Sequence, residues 1–517
     1  MGIYLNPGNE QFKKAVSKTI YVDKSLLIDV VSNYARNINN SICVSRPRRF
    51  GKSTDADMLV AYYSKGCDSR ELFDSLNISS TENYLKHLNQ HNVISLNMQR
   101  FLSTTNSIEE MLNKITRKVT KELKMEYADY CDETVLSDIL SEIYAYTSND
   151  FIFIVDEWDC VFRECRDDKE GQRKYLDFLR NLFKDQPYVS LAYMTGILPI
   201  KKYGTHSALN MFKEISTLNP TPLENFMGFT EGEVKVLCDD YDADYQKMKE
   251  WYDGYRMSKD IYVYNHRSVV FSLTDHKYEN YWNNTESYEA LSIYINMNFD
   301  GLKEDIIKML SGEKVDVYIE SFNNDMTSFE TKDDVLTLLI HLGYLTYDSE
   351  TKQCFIPNQE VKEAFVSSIR NSSWKHTTKA IKDSKDILEA TWKQDEEKVA
   401  KYIEQAHLET NIFQYNDEDA LSYTLSLAYY IARDEYTIIK EMPTGKGRAD
   451  LVFIPKKDKP AMIIELKWNK TKDSAIKQIK EKQYMYGLEH YLDNLLLIGI
   501  NYDDKTKKHT CKIEKYK

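Results

Sequence analysis

Short apolar runs alternate with longer segments of helical periodicity in the first third of the chain. Residues 54–64 and 108–123 carry apolar side chains at spacings of three and four, which predicts two helices. Four short, mostly apolar runs are placed around these segments, and they are Ile42–Val44, Val93–Leu96, Phe151–Val155 and Val189–Met194. Buried strands separated by helices are typical of a parallel sheet with helices on both faces, so we predict an α/β core.

From about Pro220 the pattern changes to helical segments rich in Tyr and Asp. Residues 333–358 then predict a helix, a turn at Gly343 and two short strands around Ser349–Gln353. A helix followed by a hairpin is the outline of a winged helix. Such an element binds nucleic acid in some proteins and packs against its own core in others, and we expect the packing role here, since a fold alone does not fix function.

The C-terminal segment mixes strands and helices again. We predict a helix at Ala420–Ala432, a strand at Tyr436–Lys440, two strands flanking Pro455–Pro460, a Lys-rich helix at Ser474–Tyr486 and a strand at Leu495–Ile500. A second α/β domain therefore ends the sequence.

Length and composition describe a folded chain with several domains. Because 517 residues exceed one ordinary core, we predict three domains, at residues 1–219, 220–375 and 376–517. Hydrophobic residues make up 42% and charged residues 29%, which excludes a disordered protein. No apolar run approaches the roughly 18 residues of a membrane span, and the eight cysteines form no C-x-x-C pair. We expect a cytoplasmic protein without membrane contact.

Charge is distributed unevenly along the chain. The net charge is −13, yet residues 441–517 carry 17 Lys and Arg against 11 Asp and Glu. An acidic body with a basic C-terminal segment is what a local phosphate-binding surface would look like. A solvated, Lys-rich face explains the same charge equally well.

A candidate phosphate-binding loop follows the first predicted strand. Gly51, Lys52 and Ser53 supply the end of a P-loop, in which backbone N–H groups cradle phosphates, the Lys neutralises them and the hydroxyl binds Mg²⁺. Arg46 stands where that motif begins with Gly. We predict that Arg46 and Arg49 join these residues in binding the cofactor, whereas the alternative is a basic turn paired with nearby acids.

A second element supports a nucleotide site. The apolar run at residues 151–155 ends in Asp156 and Glu157, at the edge where a parallel sheet presents its ligand site. We expect Asp156 to hold Mg²⁺, Glu157 to polarise an attacking water, and Thr195, at the tip of another strand, to sense the γ-phosphate. The sequence therefore predicts ATP and Mg²⁺ as cofactors.

A second candidate site lies near the C-terminus. If the two predicted strands form a hairpin, Asp450 and Glu465 can converge on Mg²⁺ or Mn²⁺, and Glu465 and Lys467 share a face because strand side chains alternate. Phosphodiester cleavage needs such metal ligands, with the Leu466 carbonyl as a third oxygen, and a cation beside the attacking water. The alternative is a salt-bridged or solvated E-x-K pattern with Asp450 as a turn residue.

Further residues would complete that site. Glu441 or Glu418 adds a carboxylate, and the sequence does not rank the two. Arg448, in the same run as Asp450, is predicted to support substrate binding.

Several motifs together carry a family resemblance. They are YVDKSLLI at residues 21–28, RPRRFGKS at 46–53, FIVDEWD at 153–159, WYDGYR at 251–256, LIHLGYLTYD at 339–348 and GKGRADLVF at 445–453. At these positions the chain resembles the AAA-ATPase-like family of predicted bacterial ATPases that carry a fused PD-(D/E)XK nuclease domain. The resemblance implies ATP binding and a C-terminal, restriction-endonuclease-like α/β fold. It also implies that Gln478 and Tyr484 contact the substrate or brace the site.

Three hypotheses about function follow. The first is an ATP-regulated, Mg²⁺-dependent nuclease that cleaves DNA, in defence or in mobile-element biology. The second is an ATP-driven switch that holds nucleic acid without cleavage, and the third is an ATPase that remodels a protein partner. Intact Asp450, Glu465 and Lys467 favour the first, with DNA favoured over RNA as the partner. The sequence leaves a homo-oligomer open.

Overall fold

Two compact units make up the chain in the computed structural model. The first contains Met1–Asn284 and Asp316–Val361, and the second contains Thr285–Val315 and Lys362–Lys517. The division into three domains at 219 and 375 stays a prediction. The residues that the structure describes are 2–130, 133–200, 209–282, 288–297, 299, 301–322, 329–370, 375–409, 424–425, 428–456 and 458–516.

A five-stranded parallel sheet forms the core of the first unit. Its strands are β1 (Ser41–Ser45), β2 (Asn92–Asn97), β3 (Phe151–Asp156), β4 (Val189–Gly196) and β5 (Lys213–Ile215). The spatial order is β2-β3-β4-β1-β5, so β1 and β3 both flank β4. Each predicted apolar run is one of these strands, and the α/β core is confirmed. The strand β5 was not predicted, because it has three residues and only Ile215 of them is buried.

Helices precede and connect these strands. They are α1 (Glu10–Val16), α2 (Leu26–Ser32), α3 (Lys52–Tyr63), α4 (Arg70–Phe73), α5 (Tyr84–His87), α6 (Met98–Leu102), α7 (Ile108–Glu126), α8 (Leu136–Thr147), α9 (Cys160–Glu164) and α10 (Lys169–Phe183). The helix α7 shows why the spacing of apolar residues predicted these helices. Ser107 caps its first turn, and its buried residues recur at spacings of three and four.

The middle of the chain is mainly helical, as predicted. Its helices are α11 (Glu231–Asp240), α12 (Tyr245–Tyr252), α13 (His266–Asp275), α14 (Tyr288–Ile295), α15 (Leu302–Leu310), α16 (Lys332–Leu342) and α17 (Gln359–Arg370). Its strands are β6 (Phe229–Thr230), β7 (Tyr255–Arg256), β8 (Tyr262–Tyr264), β9 (Val315–Asp316), β10 (Thr346–Asp348) and β11 (Gln353–Phe355).

The predicted helix, turn and hairpin are present in this region. A capping box of Thr331 and Asp334 starts α16, and Gly343 ends it with φ +86°, a conformation that favours glycine. The strands β10 and β11 then pair in antiparallel fashion. Its assignment as a winged helix stays a prediction.

A second five-stranded sheet lies in the second unit. Its strands are β12 (Tyr436–Thr444), β13 (Gly447–Pro455), β14 (Ala461–Trp468), β15 (Leu495–Asp503) and β16 (Lys508–Lys515), in that spatial order. The pair β14 and β15 is parallel, and the other neighbours are antiparallel. The helices of this part are α18 (Lys375–Trp392), α19 (Glu396–Glu409), α20 (Ala432–Glu435) and α21 (Lys472–Glu481).

Of the two helices predicted in the C-terminal segment, one ends earlier than predicted and the other lies partly outside the described residues. The Lys-rich helix ends at Glu481 instead of Tyr486, because Gln483 adopts φ +57° and a 3₁₀ helix, Tyr484–Gly487, follows. Of the predicted helix at Ala420–Ala432, residues 420–423 and 426–427 lie outside the described residues, so its extent cannot be compared. Within the described parts of the chain, none of the helices combines the length and apolarity needed to cross a membrane.

Candidate functional site

The first site is built where β1 turns into α3. Arg49 and Gly51 both have positive φ, +68° and +91°, which bends the loop back over the start of the helix. Lys52, the first residue of α3, is 5% exposed, and its Nζ donates to the carbonyl oxygens of Arg46 at 3.0 Å and Pro47 at 2.8 Å. The ammonium group therefore lies inside the curve of the loop.

Asp156 is the centre of this site. Its carboxylate accepts hydrogen bonds from the Ser53 hydroxyl at 2.9 Å, from the Asn97 amide at 3.1 Å and from the Thr195 hydroxyl. Asn97, Asp156 and Thr195 end the neighbouring parallel strands β2, β3 and β4, whose carboxyl ends meet at one edge. The predicted residues Ser53, Asp156 and Thr195 are thus brought together.

Burial and nearby carboxylates act on Lys52 in opposite directions. Burial and the charge of Arg163 lower the pKa of its ammonium group, while Glu157, Asp159 and Asp156 raise it. Three carboxylates against the two cations Lys52 and Arg163 leave one negative charge in surplus, which suits a divalent cation.

Glu157 has a local partner. It adopts φ +56°, and its carboxylate is bound by the Arg163 guanidinium, which also bonds Asp159 at 3.1 Å. Asp159 is fully buried and accepts the backbone N–H groups of Ile197 and Leu198. Burial raises the pKa of Glu157 and Arg163 opposes that rise. The role of Glu157 toward water stays a prediction.

The two predicted arginines lie apart from this cluster. Arg46 is fully buried, and its guanidinium donates to the carbonyl oxygens of Ser45 at 2.9 Å and Ile215 at 3.1 Å. Burial lowers its pKa to about 10. Arg49 donates to the Tyr281 carbonyl at 2.7 Å, and its guanidinium lies 5.8 Å from the centre of the Trp282 ring. These hydrogen bonds of the two guanidinium groups thus go to backbone carbonyls and not to Asp156.

The second site lies across β13 and β14. The register pairs Leu451 with Ile464, which places Asp450 opposite Glu465 on the neighbouring strand. The Leu466 backbone N–H donates to Asp450 Oδ2 at 2.7 Å. Two carboxylates from adjacent strands therefore meet at one point of the sheet, as the alternation of strand side chains predicts.

Glu465 is the most buried group of this site. Its side chain is 1% exposed, and its Oε1 accepts from Lys467 Nζ at 2.9 Å and from the Gln478 amide. The Gln478 amide also donates to the Tyr484 hydroxyl at 3.1 Å. Burial, together with the charge of Asp450, raises the pKa of Glu465 to about 7, and Lys467 opposes the rise.

One atom of this site is left over. Glu465 Oε2 is buried and has no hydrogen-bond partner among the described residues. A buried carboxylate oxygen without a partner is unfavourable, and a hard divalent cation is a ligand that would satisfy it. Asp450 and Glu465 therefore fit such an ion as two oxygen donors.

In the described part of the chain, no third carboxylate joins Asp450 and Glu465 in a metal-binding group. There, no group of three or more His, Cys, Asp or Glu side chains could hold a metal. Glu441 lies opposite Asp450 in the strand register, but it has φ +48° and is exposed. Arg448 is exposed as well, and Glu418 lies outside the described residues.

Three residues of the first site were missed by the sequence reasoning. Asn97 follows the apolar run of β2 as Asp156 follows that of β3, so the same rule could have found it. Asp159 is the last residue of the run FIVDEWD, in which only Asp156 and Glu157 were given roles, and Arg163, four residues later, lies outside that run.

Family models match both ends of the chain. Residues 8–206 match a model described as predicted AAA-ATPase, and residues 421–512 match the PD-(D/E)XK nuclease superfamily. A protein of Azotobacter chroococcum mcd 1, described as uncharacterised and located in the vnfD 5′ region, is 24% identical over 248 residues, which is 46% of each chain. This chain thus spans about half the length of that curated relative.

Solved structures give weaker likenesses. Cdc6p from Pyrobaculum aerophilum is 11% identical, with 71% of this chain and 99% of that chain covered and a TM-score of 0.28. The ORC2 protein of Aeropyrum pernix is 12% identical, with 68% and 96% covered and a TM-score of 0.28. Scores this low carry no argument. The two family matches, however, confirm the resemblance: the chain joins an AAA-ATPase-like part to a C-terminal part of the PD-(D/E)XK nuclease superfamily.

Proposed function

We propose that this protein binds ATP and is a Mg²⁺-dependent nuclease that cleaves DNA under the control of the nucleotide. The observation that carries the nuclease proposal is the meeting of Asp450 and Glu465 on adjacent strands, with Lys467 at 2.9 Å from Glu465 and one buried Glu465 oxygen that has no partner among the described residues. A surface ion pair would not bury a carboxylate to 1% exposure.

The residues of the second site have distinct roles in this proposal. Asp450 is oriented by the Leu466 N–H group, and Glu465 is oriented by Gln478, which Tyr484 braces. Lys467 holds positive charge where a scissile phosphate would gain negative charge. A bound divalent ion supplies phosphate neutralisation and a water of lowered pKa.

The first site supports nucleotide binding. Lys52 would neutralise the outer phosphates. Ser53 and Asp156 would hold Mg²⁺, since Ser53 Oγ and Asp156 Oδ2 already lie 2.9 Å apart. Asn97 and Thr195 donate to the same carboxylate, so their hydrogen bonds would change when that ion binds.

The test is a panel of nucleic acids. Supercoiled, linear and single-stranded DNA and RNA are incubated with the full chain, with Mg²⁺, Mn²⁺ or EDTA, and with or without ATP. We expect metal-dependent cleavage of DNA that Glu465→Gln reduces by at least about a hundredfold. Glu489→Gln, at an exposed position of the same unit, is the matched control. Metal-independent cleavage, or full activity of Glu465→Gln, would refute the proposed site.

A second candidate function is a nucleotide-controlled binding module that holds nucleic acid or a protein without cutting. The observation that favours it is the absence of a third carboxylate beside Asp450 and Glu465 in the described residues. Such a module would bind DNA equally well in EDTA and leave it intact with every metal.

A further inference from the structure

The turn between β12 and β13 contacts the segment that follows α21, and both belong to the second unit. The Lys446 N–H group donates to the Lys482 carbonyl at 2.8 Å, and a Cβ on Gly445 would lie 2.3 Å from the same oxygen. Residues 445–448 and 482–486 therefore form one surface, which we call the basic rim.

The basic rim lies beside the candidate nuclease site. A Cβ on Gly447 would lie 3.1 Å from Cε1 and 3.2 Å from the hydroxyl oxygen of Tyr484. That hydroxyl accepts from the Gln478 amide at 3.1 Å, and the same amide donates to Glu465. Two side chains thus join the rim to Glu465, so a nucleic-acid strand with one phosphate at that carboxylate would extend over the rim.

The basic rim carries three cations and no carboxylate. The side chains of Lys446, Arg448 and Lys482 are exposed, and none of the three forms an ion pair with the described residues. Cations without a carboxylate partner keep their positive potential for an anionic ligand. The phosphates of a nucleic acid are ligands of this kind, because each carries one negative charge.

Other lysines of the same unit are neutralised by the protein itself. Lys477, Lys480 and Lys512 each lie within 3.6 Å of a glutamate oxygen. A paired lysine contributes less net potential than an unpaired one, although both count equally in the composition. The positive charge that can attract a phosphate beside Glu465 therefore belongs to the basic rim more than to these three lysines.

Tyr486, within the basic rim, offers its ring to a base. This residue is 59% exposed, and its N–H group donates to the Gln483 carbonyl at 3.2 Å. Single-strand sites combine cations that bind phosphates with aromatic rings that stack on bases. In a duplex the bases are already stacked on one another, so a ring at the surface finds no free base face. The rim therefore fits a single strand better than a duplex.

We propose that the basic rim binds single-stranded DNA, with phosphates on Lys446, Arg448 and Lys482 and one base stacked on Tyr486. This inference rests on the proposed function, in which Glu465 lies at the point of cleavage. It adds the form of the substrate, which is a single strand or the opened end of a duplex. The rim holds the part of that strand next to the scissile phosphate.

The test measures binding separately from cleavage. Fluorescence anisotropy of the full chain in EDTA gives the affinities for a labelled single-stranded oligodeoxynucleotide and for its duplex. We expect the natural chain to bind the single strand at least about fivefold tighter. The triple variant Lys446→Gln, Arg448→Gln, Lys482→Gln should bind it at least about tenfold more weakly. The slope of log affinity against log salt should also fall by about 2, because three phosphate contacts are lost.

Matched variants separate the basic rim from net charge and from the base. Replacing Lys477, Lys480 and Lys512 by Gln removes the same number of cations and should weaken single-strand binding less than about threefold. Tyr486→Ala should weaken it at least about fivefold, with the duplex affinity and the salt slope unchanged, since the ring contacts only an unstacked base. Tyr486→Phe keeps the ring and should bind as the natural chain does.

Several results would overturn the inference. They are equal weakening by the two triple variants, a Tyr486→Ala variant that loses nothing or loses both DNA forms alike, and a natural chain that prefers the duplex. Should the rim triple variant not fold, the three single replacements serve, each with about a twofold loss. Cleavage by the natural chain with metal is scored apart. Binding that depends on the rim without any cleavage would refute the nuclease alone, and cleavage with rim-independent binding would refute this inference alone.

Discussion

At the scale of single residues, the two candidate sites differ in how their central carboxylates are bonded. Asp156 accepts from Ser53, Asn97 and Thr195, so its oxygens are already satisfied by the protein. Glu465 has one oxygen bonded twice and the other without a partner in the described chain. The second site therefore gains more from a cation than the first, since its buried oxygen is otherwise unsatisfied.

Divalent cations should accordingly stabilise the second unit through Glu465. We expect Mn²⁺ or Mg²⁺ at millimolar concentration to raise the Tm of the natural chain by a few degrees, because an ion that binds only the folded state stabilises it by mass action. Glu465→Gln should lose most of this rise, while Glu489→Gln keeps it. Differential scanning calorimetry with and without EDTA measures the effect. An equal rise in Glu465→Gln would place the ion elsewhere.

Lys52 has a similarly specific expectation. Lys52→Ala removes the ammonium group that bonds the loop carbonyls, so Mg²⁺-ATP affinity should fall at least about tenfold. The matched control is Lys65→Ala, whose ammonium is half-exposed and paired with Glu126. Binding of a fluorescent ATP analogue is the measurement. Preserved affinity in Lys52→Ala would mean that the phosphates bind at another place.

Glu360 provides a prediction about pH. Its buried carboxyl accepts from Ser268 and from the backbone N–H groups of Tyr281 and Trp282, and burial raises its pKa from 4.5 to about 7. Between these two values the folded chain holds a proton that the unfolded chain has lost. The contribution of Glu360 to the free energy of unfolding is therefore fully present below pH 4.5 and falls as the pH rises through 7.

Glu360→Gln should remove this loss. Its carboxamide oxygen can take the place of Glu360 Oε1 without charge, while its NH₂ group replaces the buried Oε2, which has no partner among the described residues. The NH₂ group therefore lowers the stability of the variant by a similar amount at every pH. Between pH 5 and pH 8 the natural chain should lose up to about 3 kcal/mol more stability than the variant does. Urea unfolding at several pH values measures this, and the same loss in both proteins would contradict the assignment.

The sequence indicated the arrangement of the second site more directly than that of the first. Glu465 and Lys467 share a face because strand side chains alternate, while the register that places Asp450 opposite Glu465 comes from the structure. The loop between β1 and α3 has no such period. The Arg46 and Arg49 guanidinium groups donate to the carbonyl oxygens of Ile215 and Tyr281, which only the tertiary fold brings near. The positions of these two side chains could therefore not be predicted from the sequence.

At the scale of elements, the turn between β12 and β13 supports the second site. Gly445 has φ +52°, and a Cβ there would lie 2.3 Å from the carbonyl oxygens of Lys482 and Gln483. The Lys446 N–H group also donates to the Lys482 carbonyl at 2.8 Å. This turn therefore packs directly on the segment that carries Gln478 into Tyr484.

Gly445→Ala should disturb that packing. A methyl group at this position meets backbone atoms, so we expect a loss of roughly 1–3 kcal/mol in stability and weaker hydrogen-exchange protection at residues 482–487. The matched control is Gly232→Ala in α11, where nothing lies within 4 Å of the added carbon. That change should be neutral or slightly stabilising. Equal stability of the two variants would show that the turn is free to move.

Element boundaries also mark where the sequence was insufficient. The strand β16 buries His509, Cys511 and Ile513 at alternate positions, but charged residues between them mask the pattern. The Lys-rich helix keeps its apolar spacing beyond Glu481, and only the left-handed Gln483 shows that the chain turns there. Periodicity thus identified the elements, while their ends depended on backbone conformations that no period records.

At the scale of the whole molecule, the chain passes between its two units three times. The passages follow Asn284, Val315 and Val361. Two of these passages follow, within a few residues of sequence, one buried cluster in the first unit. Glu360 bonds the backbone N–H groups of Tyr281 and Trp282, and Arg49 of the phosphate loop bonds the Tyr281 carbonyl at 2.7 Å. The phosphate loop is therefore linked by direct hydrogen bonds to segments that lead into the nuclease-like unit.

This linkage predicts which segments should change their hydrogen-exchange rates when the nucleotide binds. If ATP reorganises the loop around Arg49, hydrogen exchange should slow at residues 278–282 and 359–366 as well as at 46–53, because the cluster joins these segments. Mass spectrometry of the full chain with and without Mg²⁺-ATP measures this. The control is Lys52→Ala, which should bind ATP at least about tenfold more weakly, at an ATP concentration that saturates only the natural chain. Slower hydrogen exchange restricted to residues 46–53 would mean that ATP binding at the loop does not affect the cluster. In that case any effect of ATP on DNA cleavage must reach the second unit by another route.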